Sequence, residues 1–331
     1  MKRQSLLFDR VIDYGNIRLA FLKAMRGNRE SPQALAFCQN TDANLSALQR
    51  RLASLDCQWG DYRSFSILDP KPRIISTAPF AQRIMHHAII NVIGDVLERP
   101  LVQHCYACRK GKGTRAAVLY AFGQCKAHPY FLKMDVRKYF DSIHHGLLKA
   151  QLRRLIKDSR VLALLDGVID SYEASPGRGV PIGNLTSQFF ANTHLAWMDH
   201  FILEKLQAAA YCRYMDDFVI WADSKNFLRE CRENVIDYVK ENLGLELKPP
   251  VMGSAARGLP FLGFLVKDRG IYLMQKSKRR FKARMAEISA LEARGGISQE
   301  KAGQRAISAL AAISLARADG FKRMVNKKAS G

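Results

Sequence analysis

The chain has 331 residues, 48% of them hydrophobic and 25% charged, the composition of an ordinary globular protein able to bury one large core or two to three modest ones. No run of about 18 apolar residues occurs and Met1–Ser5 opens no signal-peptide core, which excludes a membrane span and an export signal and predicts a soluble, cytoplasmic protein. The formal net charge of +22 exceeds any solubility requirement and points to a polyanionic partner; from Lys267 to Gly331, 16 Lys and Arg face 5 Asp and Glu, so half the excess sits in the last fifth of the chain.

In chain order, residues 1–60 read as polar helical material, with Leu45, Leu48, Leu52 and Leu55 at helical spacing. Phe65–Leu68 and Ile74–Ile75 are short β-like runs around a turn carrying Pro70, Lys71 and Pro72. Gln82–Glu98 is an amphipathic helix that buries Met85, Ala88, Ile89, Val92, Val96 and Leu97. Tyr130–Val136 alternates, so that Phe131, Lys133 and Asp135 share one face of a strand and Tyr130, Leu132, Met134 and Val136 the other. Asp141 or Ser142 caps a helix through Leu147–Leu155; a second helix covers Val161–Tyr172, and a third runs from Ser187 to about Gln207. Tyr211–Ala222 reads as strand, tight turn and strand, followed by a helix over Phe227–Leu243, a strand-like Leu245–Leu247, an apolar Leu259–Val266 and a basic helical tail. This order predicts an α+β fold: a mixed sheet backed by helices.

Seven cysteines are scattered through a chain without an export signal, which argues against a disulfide framework. Cys105, Cys108, Cys125 and His128 have knuckle-like spacing, but Arg109, Lys110, Lys112 and Arg115 between them read as a basic turn entering a helix, so ordinary thiols are expected rather than zinc.

The chemistry concentrates in Asp216 and Asp217. Adjacent carboxylates at a hairpin tip between apolar strands repel one another and resist desolvation unless a cation offsets them. Oxygen-rich sites suit Mg²⁺, and two ions about 4 Å apart stabilise both oxygens of an in-line phosphoryl displacement. Asp135, on another strand, is the candidate third carboxylate.

Tyr214-Met215-Asp216-Asp217 resembles the Tyr-x-Asp-Asp box of reverse transcriptases, and further boxes of that family occur in the right order. Lys71-Pro72-Arg73 resembles the fingers motif that meets triphosphate and template, and Tyr106–Ala117 the next fingers segment. Phe131–Phe140 is similar to the first palm motif, Gly179–Asn192 to the segment lining the nucleotide pocket, and Leu259–Phe264 to the primer grip; Leu243–Lys248 matches a further palm motif loosely. The resemblance spans Phe65–Phe264 and implies a right-hand polymerase: an N-terminal extension and fingers over 1–128, a palm with an antiparallel sheet over 129–272 carrying fingers-associated helices at about 143–178, and a short basic helical thumb over 273–331.

It further implies an RNA-directed DNA polymerase with catalytic Asp135, Asp216 and Asp217. The implied metal site, Asp135, Val136, Asp216 and Asp217, would take two Mg²⁺ ions, with Mn²⁺ as a substitute. Lys71, Arg73, Phe140, Ile182, Gly183 and Gln188 would bind nucleotide, with Phe140 as the gate against a ribose 2′-OH. Phe261, Leu262 and Gly263 would form the primer grip, and Lys276, Lys278, Arg279 and Arg280 would track the nucleic-acid backbone.

Within the family, Ile182-Gly183-Asn184-Leu185-Thr186-Ser187-Gln188 is similar to the enzymes of diversity-generating retroelements, where retroviral and group II intron enzymes usually carry Gln at the place of Ile182. Such enzymes copy a template-repeat RNA with errors at adenines, and Ile, unlike Gln, cannot hydrogen-bond the nascent pair. The resemblance implies template RNA, the RNA/cDNA duplex, dNTPs and a small basic oligomeric accessory protein as partners, no membrane, and a bacterial or phage-encoded cytoplasmic enzyme. Two alternatives stand beside it. One is another bacterial reverse transcriptase of intron-maturase, retron or phage-defence type, against which stand the short stretch after Phe264 and the absence of a C-terminal Val-Thr-Gly. The other is a non-catalytic RNA-binding scaffold, against which stand the three intact carboxylates.

Overall fold

The computed structural model describes residues 4–68 and 72–316. Its elements are α1 (Phe8–Val11), α2 (Tyr14–Met25), α3 (Pro32–Cys38), α4 (Thr41–Ser54), β1 (Arg63–Leu68), β2 (Pro72–Thr77), α5 (Phe80–Glu98), α6 (Thr114–Ala127), β3 (Tyr130–Asp135), α7 (Tyr139–Ser142), α8 (His145–Leu155), α9 (Ser159–Asp170), α10 (Leu185–His194) and α11 (Ala196–His200). A single π turn (Phe201–Lys205) leads to β4 (Ala210–Tyr214), β5 (Asp217–Ala222), α12 (Lys225–Leu243), β6 (Val251–Ser254), β7 (Leu259–Phe261), β8 (Phe264–Lys267), β9 (Gly270–Leu273), α13 (Gln275–Ala293) and α14 (Gln299–Ile313). The chain divides into two compact units, each assembled from three separate segments: 1–102, 136–201 and 235–248 in the first, 103–135, 202–234 and 249–331 in the second.

In the first unit α5 is the central helix. Pro79 at its N-cap cannot continue a helix backwards, and the apolar spacing predicted from Gln82 buries Ile84, Ile89, Ile93 and Leu97 completely. Each such side chain contributes about 1.5–3 kcal/mol through burial. Helices α2 and α10 pack on α5. The antiparallel β1–β2 hairpin pairs Arg63 with Thr77 through Leu68 with Pro72, and every residue of β1 is exposed.

The second unit holds two antiparallel sheets, ordered β4-β5-β3-β6 and β7-β8-β9. Its core joins Phe131, Cys212, Val219 and Trp221 of the first sheet to Val118 and Ala121 of α6 and to Phe261, Phe264 and Val266 of the second. Gly253 of β6 pairs with Phe131 of β3, and a Cβ at Gly253 would lie 2.5 Å from the Phe131 ring, so only glycine lets the aromatic side chain lie over this strand.

The structure corrects four local readings. The helix expected to start at Asp141 or Ser142 is α8, capped by His144, whose Nδ1 accepts from the Gly146 amide at 3.1 Å; Asp141 and Ser142 fall in the short α7. The single helix over Ser187–Gln207 is interrupted at Leu195 and ends in the π turn. Leu245–Leu247 forms only a bridge, between Leu247 and Val136, and the strand beside β3 is Val251–Ser254, whose Gly253 breaks any alternation. Leu55 is not on the buried face of α4; it leaves the helix at φ +62 and is 40% exposed.

Candidate active site

Strand register sets the carboxylates. In the second unit Asp135, the last residue of β3, is the direct cross-strand partner of Asp217, the first of β5. Directly opposed residues keep their Cβ atoms about 4.5–5.5 Å apart, and like charges there are destabilising. Tyr214 also pairs with Asp217, so β4 and β5 are joined by the two-residue turn Met215-Asp216. Met215 has φ +58, where a tight hairpin ordinarily uses Gly or Asn, and holding a non-glycine residue there costs about 1–3 kcal/mol.

Neighbours enforce that turn. Arg213 is fully buried, and its Nη1 donates to the Met215 carbonyl at 3.0 Å. The Arg213 amide donates to the His104 carbonyl and its own carbonyl accepts from the Tyr106 amide, both at 2.9 Å, so the segment before α6 covers the edge of β4. Thr114 Oγ1 donates to the Tyr214 hydroxyl at 3.2 Å.

Asp217 has two unlike oxygens. Oδ2 lies 3.0 Å from Lys133 Nζ, whereas Oδ1 is buried with no hydrogen-bond partner. This carboxyl is pushed up to about 7: burial raises it most, the Lys133 ammonium pulls it down, and the charges of Asp135 and Asp216 add to the rise. A buried acceptor without a donor, beside two further carboxylates, fits a divalent cation. Among the described residues no set of three or more His, Cys, Asp or Glu encloses an ion by itself. Mg²⁺ does not require one, because it typically takes one or two carboxylates and completes its shell with water and substrate phosphates. Val136, fully buried, has no polar side-chain atom, so its backbone carbonyl is its one oxygen donor.

Following the carboxylates in the same unit, β7 and β8 turn through Leu262 (φ +49) and Gly263 (φ +87), two consecutive positive values as in a type I′ hairpin. Phe261 anchors this hairpin in the core. The Gly263 carbonyl accepts from Ser277 Oγ at 2.6 Å and from the Met274 amide at 3.3 Å, at the start of α13. On α13, Lys276, Arg279 and Arg280 are exposed and Lys278 is half-buried. Cys105 and Cys125 are buried, neither in a disulfide, and Cys108 is exposed, while His128 Nδ1 sits 2.9 Å from Asp223 Oδ1. Burial pushes the Cys125 thiol up to about 11, far from a thiolate.

The first unit gathers Ile182, Gly183 and Gln188. The Ser76 amide donates to the Ile182 carbonyl at 2.8 Å, and Asn184, 2% exposed, accepts from the Ala78 amide at 3.0 Å while its Nδ2 donates to the Ser76 carbonyl at 3.1 Å. Gly183 has φ +124, and a Cβ there would lie 2.8 Å from Ile75, so the close approach it permits is to β2. Gln188 lines a polar depression with Asn184 and with Arg83, His86 and His87 of α5. Burial lowers the His87 pKa to about 4, with Lys23 and Arg83 adding to the effect. Arg73 is exposed on β2 opposite Ile67, Phe140 is half-buried against Tyr139, and Lys71 lies outside the described residues, as do residues 317–331 of the basic tail. Sequence reasoning did not single out Lys133, Asn184, Arg213 or the α5 depression. The face shared by Lys133 and Asp135 was the available signal for the first, whereas the contacts of the others depend on tertiary structure.

Residues 68–266 match the sequence family described as reverse transcriptase (RNA-dependent DNA polymerase). The chain is similar to protein YkfC of Escherichia coli (strain K12), 25% identical over 252 residues, covering 61% of this chain and 65% of that protein. It is also similar to the putative COX1/OXI3 intron 1 protein of Saccharomyces cerevisiae, 23% identical over 159 residues, 46% of this chain and 18% of that protein. The chain therefore spans under two thirds of the length of either curated relative. Among solved structures, apo telomerase from Candida tropicalis shares the fold, with a TM-score of 0.52 at 12% identity over 76% of this chain and 57% of that one. Among the described residues no helix is long and apolar enough to cross a membrane.

Proposed function

Because the chain belongs to the reverse transcriptase family, whose match covers more than half of it, we propose that it is an RNA-directed DNA polymerase, and specifically the error-prone enzyme of a diversity-generating retroelement. The observation that carries the polymerase reading is the set of Asp135 and Asp217 opposed at the ends of neighbouring strands, Asp216 on a strained two-residue turn and an unpartnered buried oxygen on Asp217. Reverse transcriptase domains generally use divalent metal ions; here Asp135, Asp216, Asp217 and the Val136 carbonyl would hold two Mg²⁺, or Mn²⁺ in their place. Bound there, such ions would acidify the primer 3′-OH and neutralise charge on the triphosphate.

The remaining roles belong to the chain's own side chains. Lys71 and Arg73 pair with phosphates, Phe140 excludes a ribose 2′-OH, and Gly183 and Gln188 border the nucleotide and template. The Phe261–Gly263 hairpin supports the primer end. Lys276, Lys278, Arg279 and Arg280 follow the duplex backbone, where contacts give affinity without sequence information. By this assignment residues 1–128 form the N-terminal extension and fingers, 129–272 the palm and 273–331 the thumb. The partners are a template-repeat RNA, its cDNA duplex, dNTPs and a small basic oligomeric accessory protein.

Ile182 supports the mutagenic subtype. Its carbonyl is fixed to β2 while its apolar side chain offers the nascent pair no hydrogen bond. Sequencing cDNA made on an RNA template tests this: wild type should misincorporate chiefly opposite adenines, and Ile182→Gln should lower that rate several-fold. Equal error spectra would remove the subtype. The similarity to a yeast intron protein favours a second reading, an intron-type enzyme, which accurate copying of adenines by wild type would support.

A further inference from the structure

Lys133 stands two residues before Asp135 on β3, flanked by Val219 of β5 and Val251 of β6, so its side chain leaves a central strand on the same face as Asp135. Its ammonium meets two acceptors on different elements: Asp217 Oδ2 at 3.0 Å and the Pro260 carbonyl at 3.0 Å. Pro260 lies on β7, an edge strand of the second sheet, opposite Leu265. Proline has no amide hydrogen, so that peptide presents only a carbonyl, and an edge strand is where such a residue is tolerated. An ammonium carries three donors and no acceptor and can serve both oxygens at once, which a neutral side chain of that reach does not. The lysine is one-fifth exposed and Asp217 slightly less, so the bridge is shielded from much of the solvent.

We propose that Lys133 is a positioning residue that ties the β7–β8 hairpin to the Asp217 carboxylate, so that the support for the primer end and the catalytic strands move as one piece. The proposal rests on the polymerase reading for its meaning in synthesis, but the tie itself is a property of the second unit alone. The hairpin tip is also fastened to the start of α13, where Ser277 Oγ and the Met274 amide hold the Gly263 carbonyl. Lys133 supplies the fastening on the side of the carboxylates. Geometry at this scale matters because a displacement of about 1 Å at a reacting centre can cost about 100-fold in rate.

The test uses the full chain with Lys133→Met, Lys133→Arg and Asp217→Ala. Amide hydrogen exchange by mass spectrometry, without nucleic acid or metal, should show exchange across Leu259–Lys267 accelerated about tenfold in Lys133→Met, with Ala210–Tyr214 unchanged. Lys133→Arg, which keeps a cation with several donors at this position, should stay within about twofold of wild type. Should the Met variant fail to fold, Asp217→Ala, which leaves Lys133 no side-chain oxygen at position 217 of β5, removes one end of the bridge and should accelerate the same segment.

In primer extension, Lys133→Met should raise KM for primer–template about tenfold while leaving KM for dNTP within about twofold, and Lys133→Arg should restore the former. Unchanged exchange at Leu259–Lys267 in Lys133→Met, or in Asp217→Ala where the Met variant does not fold, would overturn the proposal even if synthesis fell. A wild-type chain that makes no cDNA would overturn the polymerase reading and leave the exchange result to stand on its own.

Discussion

Replacing Asp217 by Asn isolates the electrostatic cost of the site. In the metal-free protein the carboxyl rises from an ordinary 3.8 to about 7, chiefly through burial, against the attraction of Lys133. Each tenfold change in proton affinity corresponds to about 1.4 kcal/mol, so ionising Asp217 in the folded state costs at most about 4 kcal/mol. The sign follows from proton counts. Between about pH 4 and pH 7 the folded state holds a proton that the unfolded state has released, so stability falls as pH rises through this window. The contribution is fully present below about pH 4 and gone above about pH 7. Asn imitates the protonated carboxyl and does not titrate.

Urea unfolding in EDTA at several pH values between 4 and 8 should therefore show the two proteins nearly equal at the acid end and Asp217→Asn more stable by up to about 4 kcal/mol at pH 8. Titrating groups that do not interact with Asp217 cancel in the difference. Millimolar Mg²⁺ should close much of the gap at pH 8 by stabilising the ionised wild type. A difference that stays flat with pH, or that favours wild type at pH 8, would refute the reasoning.

Two further outcomes follow from packing. Gly253→Ala should destabilise the protein by about 1–3 kcal/mol in urea titration, because its Cβ would lie 2.5 Å from the Phe131 ring in a closely packed sheet; a neutral result would mean that β6 is displaced from β3. Asn184→Ala removes an acceptor for the Ala78 amide and a donor to the Ser76 carbonyl, both buried, and should cost about 2–4 kcal/mol, with faster amide exchange confined to β2 and residues 182–188. Loss spread evenly over both units would contradict that assignment.

Much of the site was legible in the chain because its chemistry is local. Tyr211–Ala222 carries its own hairpin pattern, and the alternation of Tyr130–Val136 places Asp135 at a strand end; those two segments then pair in the register that opposes Asp135 and Asp217. The turn itself was less readable, since Met215-Asp216 lacks the glycine its backbone favours and is held by the buried Arg213, whose burial no periodicity signals. Strand β6 escaped detection because Val-Met-Gly-Ser has no period of two, its glycine answering to Phe131 far away in sequence. The interruption after His194 carries no proline or glycine, so nothing local announces it. Lys133 looked like an ordinary polar-face residue, and both its partners come from other elements.

The central claim is that Asp135, Asp216 and Asp217 perform templated DNA synthesis. Its most direct test is extension of a labelled primer on an RNA template with dNTPs and Mg²⁺, comparing wild type with Asp135→Asn and Asp216→Asn at matched folding by circular dichroism. Wild type should extend the primer to the template end, and either variant should lose at least about 1,000-fold in rate, in line with removal of charge-stabilising groups from an active site. Undiminished synthesis by the variants would contradict the account.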